Sequence, residues 1–326
     1  MKIADTLLTA LLIMAPVFAA DAAEIIFAGN RDNQFDLFRL NLADSQVSQM
    51  TSTPADETMP AVSSDGSQIV FVSNRAGADS LYLMPRNASD AQDISAGIGA
   101  YANPAFSPDG SRVAVRYAPD PQTPLLSTQI VLLDPKTRKQ EILIDSGKLK
   151  TGNNSDATVV VDRPLWVSDA LLAYLIAEYS DPEVGRLTKS TIYMYDLKKR
   201  EQVRVAGGES YFSTDGSPMG FKAVLPSLID DAGQASGTAG AIAFAAVRGG
   251  TNREPMKIAL SGGGKGVIAL DDPDFFGPLL QADGLWVYGI MDENSNTGLA
   301  WRGIDMKSPR TVLPFAGRVI TPAIFP

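Results

Sequence analysis

The side chains available for chemistry in this 326-residue chain are carboxylates, hydroxyls, amides, amines and guanidiniums, because it contains no histidine and no cysteine. Their absence removes the usual general base near neutral pH, the commonest zinc ligands and any thiol nucleophile in one step. A Ser-His-Asp triad is impossible, and no Gly-x-Ser-x-Gly elbow occurs. Gly262-Gly263-Gly264-Lys265 lacks the Ser or Thr that follows the lysine of a phosphate loop and sits in a hairpin between two short strands, so phosphate binding is not expected there. Asp271-Asp272-Pro273-Asp274 has neither the spacing nor the glycine of an EF-hand loop. What remains open is hard-oxygen chemistry. Glu57, Asn103, Asp162 and Asp274 are candidate calcium ligands if the fold gathers them, either around a structural ion or at the centre of a calcium-dependent hydrolase.

The elements that must position these groups repeat along the chain. Six prolines, Pro60, Pro104, Pro164, Pro226, Pro278 and Pro322, recur at intervals of 44, 60, 62, 52 and 44 residues. The clearest copies read Pro104-Ala105-Phe106-Ser107-Pro108-Asp109-Gly110 and Pro60-Ala61-Val62-Ser63-Ser64-Asp65-Gly66. Each is followed by a strand with every second residue apolar or aromatic, such as Ile69-Val70-Phe71-Val72, then by a third strand and an outer one. Four strands per repeat at this spacing is the pattern of a propeller blade. Ile25-Ile26-Phe27-Ala28 reads as a second strand and Pro322-Ala323-Ile324-Phe325 as a first strand, so one blade is expected to be split between the two ends of the chain. The fold class expected is therefore an all-β, six-bladed propeller closed by that pairing.

The blades resemble the periplasmic TolB-like propeller family, on Ile69, Phe71, Ser73, Asn74, Arg75, Leu81 and Tyr82 in one repeat and Ile26, Phe27, Asn30, Arg31, Leu37 and Phe38 in another. The resemblance implies a stand-alone propeller, since a TolB protein also has an α/β domain for which this chain has no room. It further implies a non-catalytic binding role toward an envelope protein or peptide, with a peptidoglycan-associated lipoprotein as the partner type. Arg31 and Arg75 occur in both repeats, each near an acid (Asp36 or Asp79), and are expected to serve intrablade ion pairs rather than a site. Six-bladed lactonases hold calcium in the channel, which gives the hydrolase alternative its form.

Residues 1–22 have the marks of an export signal: Lys2, an apolar run from Leu7 to Ala19, and small-residue cleavage patterns at Val17-Phe18-Ala19 or Ala20-Asp21-Ala22. The run is too short to span a membrane, and without cysteine there is no lipid anchor site. Residues 23–326 are expected to be one propeller, periplasmic and monomeric. The chain carries a net charge of −9, and removal of Lys2, Asp5 and Asp21 leaves −8, a balance that disfavours nucleic acid.

In a four-stranded blade, the 4→1 and 2→3 connections share one face. Long segments at 118–128, 145–163, 178–190 and 207–225 all fall there, making it the expected binding face. The residues just before each blade proline should ring the channel mouth: Glu57, Thr58 and Met59, Tyr101 and Asn103, Asp162 and Arg163, Leu225, Asp274 and Phe276, Ile320 and Thr321. Such a mixture of carboxylates, arginine and aromatics suits a peptide or protein surface.

Overall fold

The structure is a computed structural model that describes residues 23–326 apart from 32, 89, 150–156, 182–185, 208–221, 230–240, 248–252, 261–264, 269, 283, 314, 316 and 325–326. The expected export signal, residues 1–22, and the Gly262–Gly264 run lie outside the described residues. Six four-stranded antiparallel sheets form the blades. Blade 1 pairs Arg318–Ile324 with Glu24–Arg31, followed by Gln34–Asn41 and Val47–Gln49. Blade 2 holds Glu57–Val62, Gln68–Ser73, Ser80–Pro85 and Gln92–Asp93, and blade 3 holds Ala100–Phe106, Val113–Ala118, Gln129–Leu133 and Gln140–Asp145. Blade 4 has the longest strands, Thr158–Ser168, Leu171–Asp181 and Arg186–Asp196, with Glu201–Gly207 outside them. Blades 5 and 6 begin with Lys222–Ile229 and Phe275–Ala282 and end with Lys265–Val267 and Thr311–Val312. All six marker prolines sit in first strands, and the split blade closes the ring with Ile25 opposite Ile324 and Ala28 opposite Ile320.

The inner strands read as continuous apolar runs because both faces of every blade are buried, which replaces the expected one-sided alternation. Successive residues feed opposite seams. Ile26, Ala28, Ile69 and Phe71 pack between blades 1 and 2, whereas Val70 and Val72 join Tyr101, Val113 and Val115 between blades 2 and 3. Ile25 and Phe27 turn the other way, to Val287, Leu299 and Trp301 of blade 6. Six clusters fill six seams. In the seam between blades 5 and 6, the small side chains of Ala241, Ala243 and Ala245 accept Trp286, Tyr288 and Phe275.

The turns between first and second strands match their sequence. Ser63 Oγ donates to Asp65 at 2.6 Å and Ser107 Oγ to Asp109 at 2.6 Å, with Gly66 and Gly110 both at φ 68. These hydroxyls, with the amides of Ser67 and Ser111, hold both carboxyls down at about 2.

Polar groups also bind blade 1 to blade 2. Glu57 is fully buried, accepting from Arg75 at 2.8 Å and from the hydroxyls of Thr53 and Ser73. Asp36 Oδ1 and Glu57 Oε2 are buried without a donor from any other residue. Burial, followed by the charge of Glu57, pushes the Asp36 carboxyl up to about 6.

A Cβ on Gly289 would meet the Gly277 carbonyl oxygen at 2.3 Å, backbone against backbone. Gly289→Ala is expected to lower the urea midpoint by an amount equivalent to about 1–3 kcal/mol. Asp36 holds its proton in the folded protein at a pH where the unfolded chain has lost it. Its contribution is therefore complete below about 4 and is lost as pH rises through about 6. Stability measured by denaturant titration should fall across that window, and Asp36→Asn should remove the fall.

Candidate functional site

A β-bulge interrupts each first strand at its proline. Pairing skips from Thr58 to Ala61, Ala102 to Ala105, Asp162 to Leu165, Val224 to Ser227 and Phe275 to Leu279, with a matching shift in the closing blade. Proline has no N–H to give the ladder, so the break falls where a donor is already missing. The residue before it turns left-handed: Met59 at φ 52, Asn103 at φ 50, Arg163 at φ 50 and Gly277 at φ 90. For Met59 and Arg163 that conformation costs about 1–3 kcal/mol, a strain associated with functional sites. These residues line the central channel, a cavity of about 640 Å³ walled by the six prolines and by side chains such as Phe106, Trp166 and Ile290.

Asp162 organises the polar side of the mouth. Its Oδ1 accepts from Asn103 Nδ2 at 2.7 Å and from the Arg163 amide at 2.8 Å, and lies 3.7 Å from Arg116 Nε. Asn103 is fixed from behind as well, its amide donating to the Met59 sulfur at 3.3 Å. Burial pushes the Arg163 guanidinium below the usual arginine range, against the favourable field of Asp162. In blade 5 the Arg253 guanidinium carbon lies 3.5 Å from the Phe276 ring centre, and Nη1 donates to the Phe276 carbonyl at 2.9 Å. Burial and the positive field of Arg163 lower Arg253 to about 10. Tyr179 also sits in this field, its hydroxyl pushed up by burial and then by Asp162.

Met59, Asn103, Arg163, Phe276 and Ile320 line the channel as expected. Five others are not among the channel lining: Asp162, which stands behind Asn103 and Arg163, and Glu57, Tyr101, Asp274 and Thr58. Glu57, fully buried in the seam, does not reach the mouth, because it neutralises Arg75. Tyr101, 1% exposed, packs on Tyr117 at 4.9 Å, and its hydroxyl takes the amides of Ala96 and Gly97 while donating to Gln140. Asp274 is held at 2.8 Å by Arg310, which also binds Asp272. Thr58 pairs with Val72 and is not among the channel lining. Thr321 and Leu225 are placed by backbone only, in the strands that carry Pro322 and Pro226. Of the four possible calcium ligands, only Asn103 and Asp162 meet. Among the described residues no three acidic side chains are grouped to hold a metal ion.

The two repeated arginines are structural, with partners other than those expected. Arg75 pairs with Glu57 and stacks on Tyr82 at 4.4 Å, while Asp79 lies in the field of Arg116. Arg31 stacks on Phe38 at 4.7 Å and on Phe315 at 4.5 Å. Sequence reasoning missed Arg116 and Arg253. Arg116 left a signal, a lone charge within Val113-Ala114-Val115-Arg116-Tyr117. The long segments expected on this face are partly strand: Leu171–Asp181 and Arg186–Asp196 leave only residues 182–185 of 178–190 between them.

Residues 9–157 match the TolB beta propeller domain family. TolB from Acinetobacter baumannii is similar in structure, at 17% identity and a TM-score of 0.62, over 93% of this chain and 67% of that one. A puromycin-hydrolyzing peptidase from Mycobacterium tuberculosis is 16% identical with a TM-score of 0.55, matched over 89% of this chain and only 43% of its own. Oligogalacturonate lyase from Vibrio parahaemolyticus is 15% identical with a TM-score of 0.52, over 89% of this chain and 74% of that one. No curated protein matches the chain at a significant level. Identities this low establish shared architecture alone, and one architecture serves several chemistries. The chain is a six-bladed propeller closed into one ring, and its residues 9–157 carry the match to the TolB beta propeller domain family.

Proposed function

We propose that this propeller is a periplasmic, monomeric binding protein without catalysis of its own, docking an envelope protein or peptide on the face that carries the 2→3 and 4→1 connections. The observation that carries the reading is the placement of exposed apolar side chains. Among the described residues, Ile98 is 88% exposed and Leu126 57%, and they come from adjacent connections of that face, before and within blade 3. The other large exposed hydrophobics, Ile142, Val203 and Val312, sit on fourth strands at the outer rim. The channel carries strained Met59 and Arg163, with Asp162 bonded to Asn103 and to the Arg163 amide. Apolar anchors next to a polar, arginine-bearing centre suit a protein or peptide partner. A lipoprotein bound to peptidoglycan is the partner type in keeping with the TolB resemblance.

Affinity capture from envelope extract tests the reading. Wild-type protein is expected to retain a partner that Asp162→Lys with Arg163→Glu loses by ten-fold or more. Ile98→Asp, at a fully solvated position, should weaken capture without altering the melting temperature. Unchanged capture by both variants overturns the proposal. A calcium chelator is expected to leave the melting temperature unchanged, and a drop would place a metal in the channel instead.

A further inference from the structure

Among the described residues at the channel mouth, the arginines outnumber the acids that pair with them. Arg163 lines the channel, Arg116 lies 3.7 Å from Asp162 beside it, and Arg253 sits over Phe276, another lining residue, in a chain whose net charge is −9. Asp162 is already engaged on Oδ1 by Asn103, the Arg163 amide and Arg116. Arg116 is the better neutralised of the three, lying in the field of Asp79 as well. Among the described residues, none accepts a hydrogen bond from the Arg163 guanidinium, although this side chain lines the channel. Arg253 sits over the Phe276 ring and gives Nη1 to a backbone carbonyl, with no carboxylate of the described residues in an ion pair with it. Stacking of this kind fixes the plane of the guanidinium and leaves its other N–H groups free to bind. The positive field of Arg163 also reaches Arg253.

We propose that Arg163 and Arg253 form a carboxylate site, which seats an acidic side chain or C-terminal carboxylate of a peptide segment entering the channel. An anion between two guanidiniums relieves their repulsion and takes charge-assisted hydrogen bonds that water supplies less well in a narrow opening. The walls select a peptide over a free ion. Phe276, Met59 and the prolines give apolar contact around the charged centre, and a cavity of about 640 Å³ accommodates a few side chains. The left-handed bulge places Arg163 here: a regular strand would keep that residue in the ladder. The site rests on the docking reading above and specifies the chemistry of what docks.

Fluorescence anisotropy with labelled tetraglutamate and labelled tetraglutamine tests the assignment without requiring any variant. The wild-type protein is expected to bind tetraglutamate at least ten-fold more tightly, with affinity falling as salt is raised. Arg163→Met and Arg253→Met, which keep bulk and lose charge, should each weaken tetraglutamate binding about ten-fold. Arg200→Met, at an exposed ion pair far from the channel, should change nothing. Equal binding of the two peptides, or full tetraglutamate binding by Arg163→Met, overturns the proposal. Binding of inorganic phosphate without binding of tetraglutamate also overturns it, by assigning the arginines to a free anion. Failure here with partner capture intact leaves the docking reading standing. Capture left unchanged by both variants of the preceding experiment, with tetraglutamate still bound by the wild type, removes that reading alone.

Discussion

Everything in this molecule depends on a ring that must close. A blade with both faces apolar has no stable surface until a neighbour covers each side. A linear row of six would leave the outer face of blade 1 and that of blade 6 in water. The antiparallel pairing of Arg318–Ile324 with Glu24–Arg31 brings these two faces together, and Ile25, Phe27 and Phe38 then bury against Val287, Leu299 and Trp301. Each fully buried side chain of this size contributes about 1.5–3 kcal/mol relative to exposure. The last seam to be joined is therefore as substantial as the other five.

Closure also creates the site. Six first strands meeting around an axis leave a channel, and the proline bulge in each decides what faces it. A regular ladder would send side chains alternately into the two seams. By breaking the ladder at Met59, Asn103 and Arg163, the bulge rotates one residue per blade out of the seam pattern and toward the axis. Strain at these positions is sustained because packing on both sides of the strand holds the backbone in place. The polar mouth is thus a product of the same interruption that made the repeat visible.

The blade prolines and the Asp-Gly turns were legible because proline without an N–H and glycine at positive φ are chemical necessities at those points. The mouth was legible only in part, because the three residues before a proline are not equivalent. Met59, Asn103, Arg163 and Gly277, one position before it, line the channel, whereas of those three before it Glu57, Tyr101, Val161, Phe275 and Val319 are buried in the seams, all under 6% exposed. Four of these five are apolar or aromatic, so Glu57 departs from the pattern. Its charge reads as a binding group in sequence, whereas in the seam it answers Arg75. Arg253 was not legible, since its approach to Phe276 joins blades 5 and 6 through space rather than through any shared motif. In blade 4 the strands run further than the turn chemistry indicates, because a hairpin continues wherever its two sides keep pairing.

The split blade has a kinetic consequence. Its two inner strands are nearly a full chain length apart, about 290 residues, so their contact has close to the largest sequence separation the polypeptide allows. Neighbouring blades can stack as soon as they exist, but that arc has two sticky ends until its termini meet. Arrival of the closing strand is expected to convert a gradual, blade-by-blade accretion into one cooperative event. Before it, the same open edges could pair with a second molecule as readily as with each other. A slow, concentration-sensitive final step in folding is thus written into the way one blade is shared between the ends.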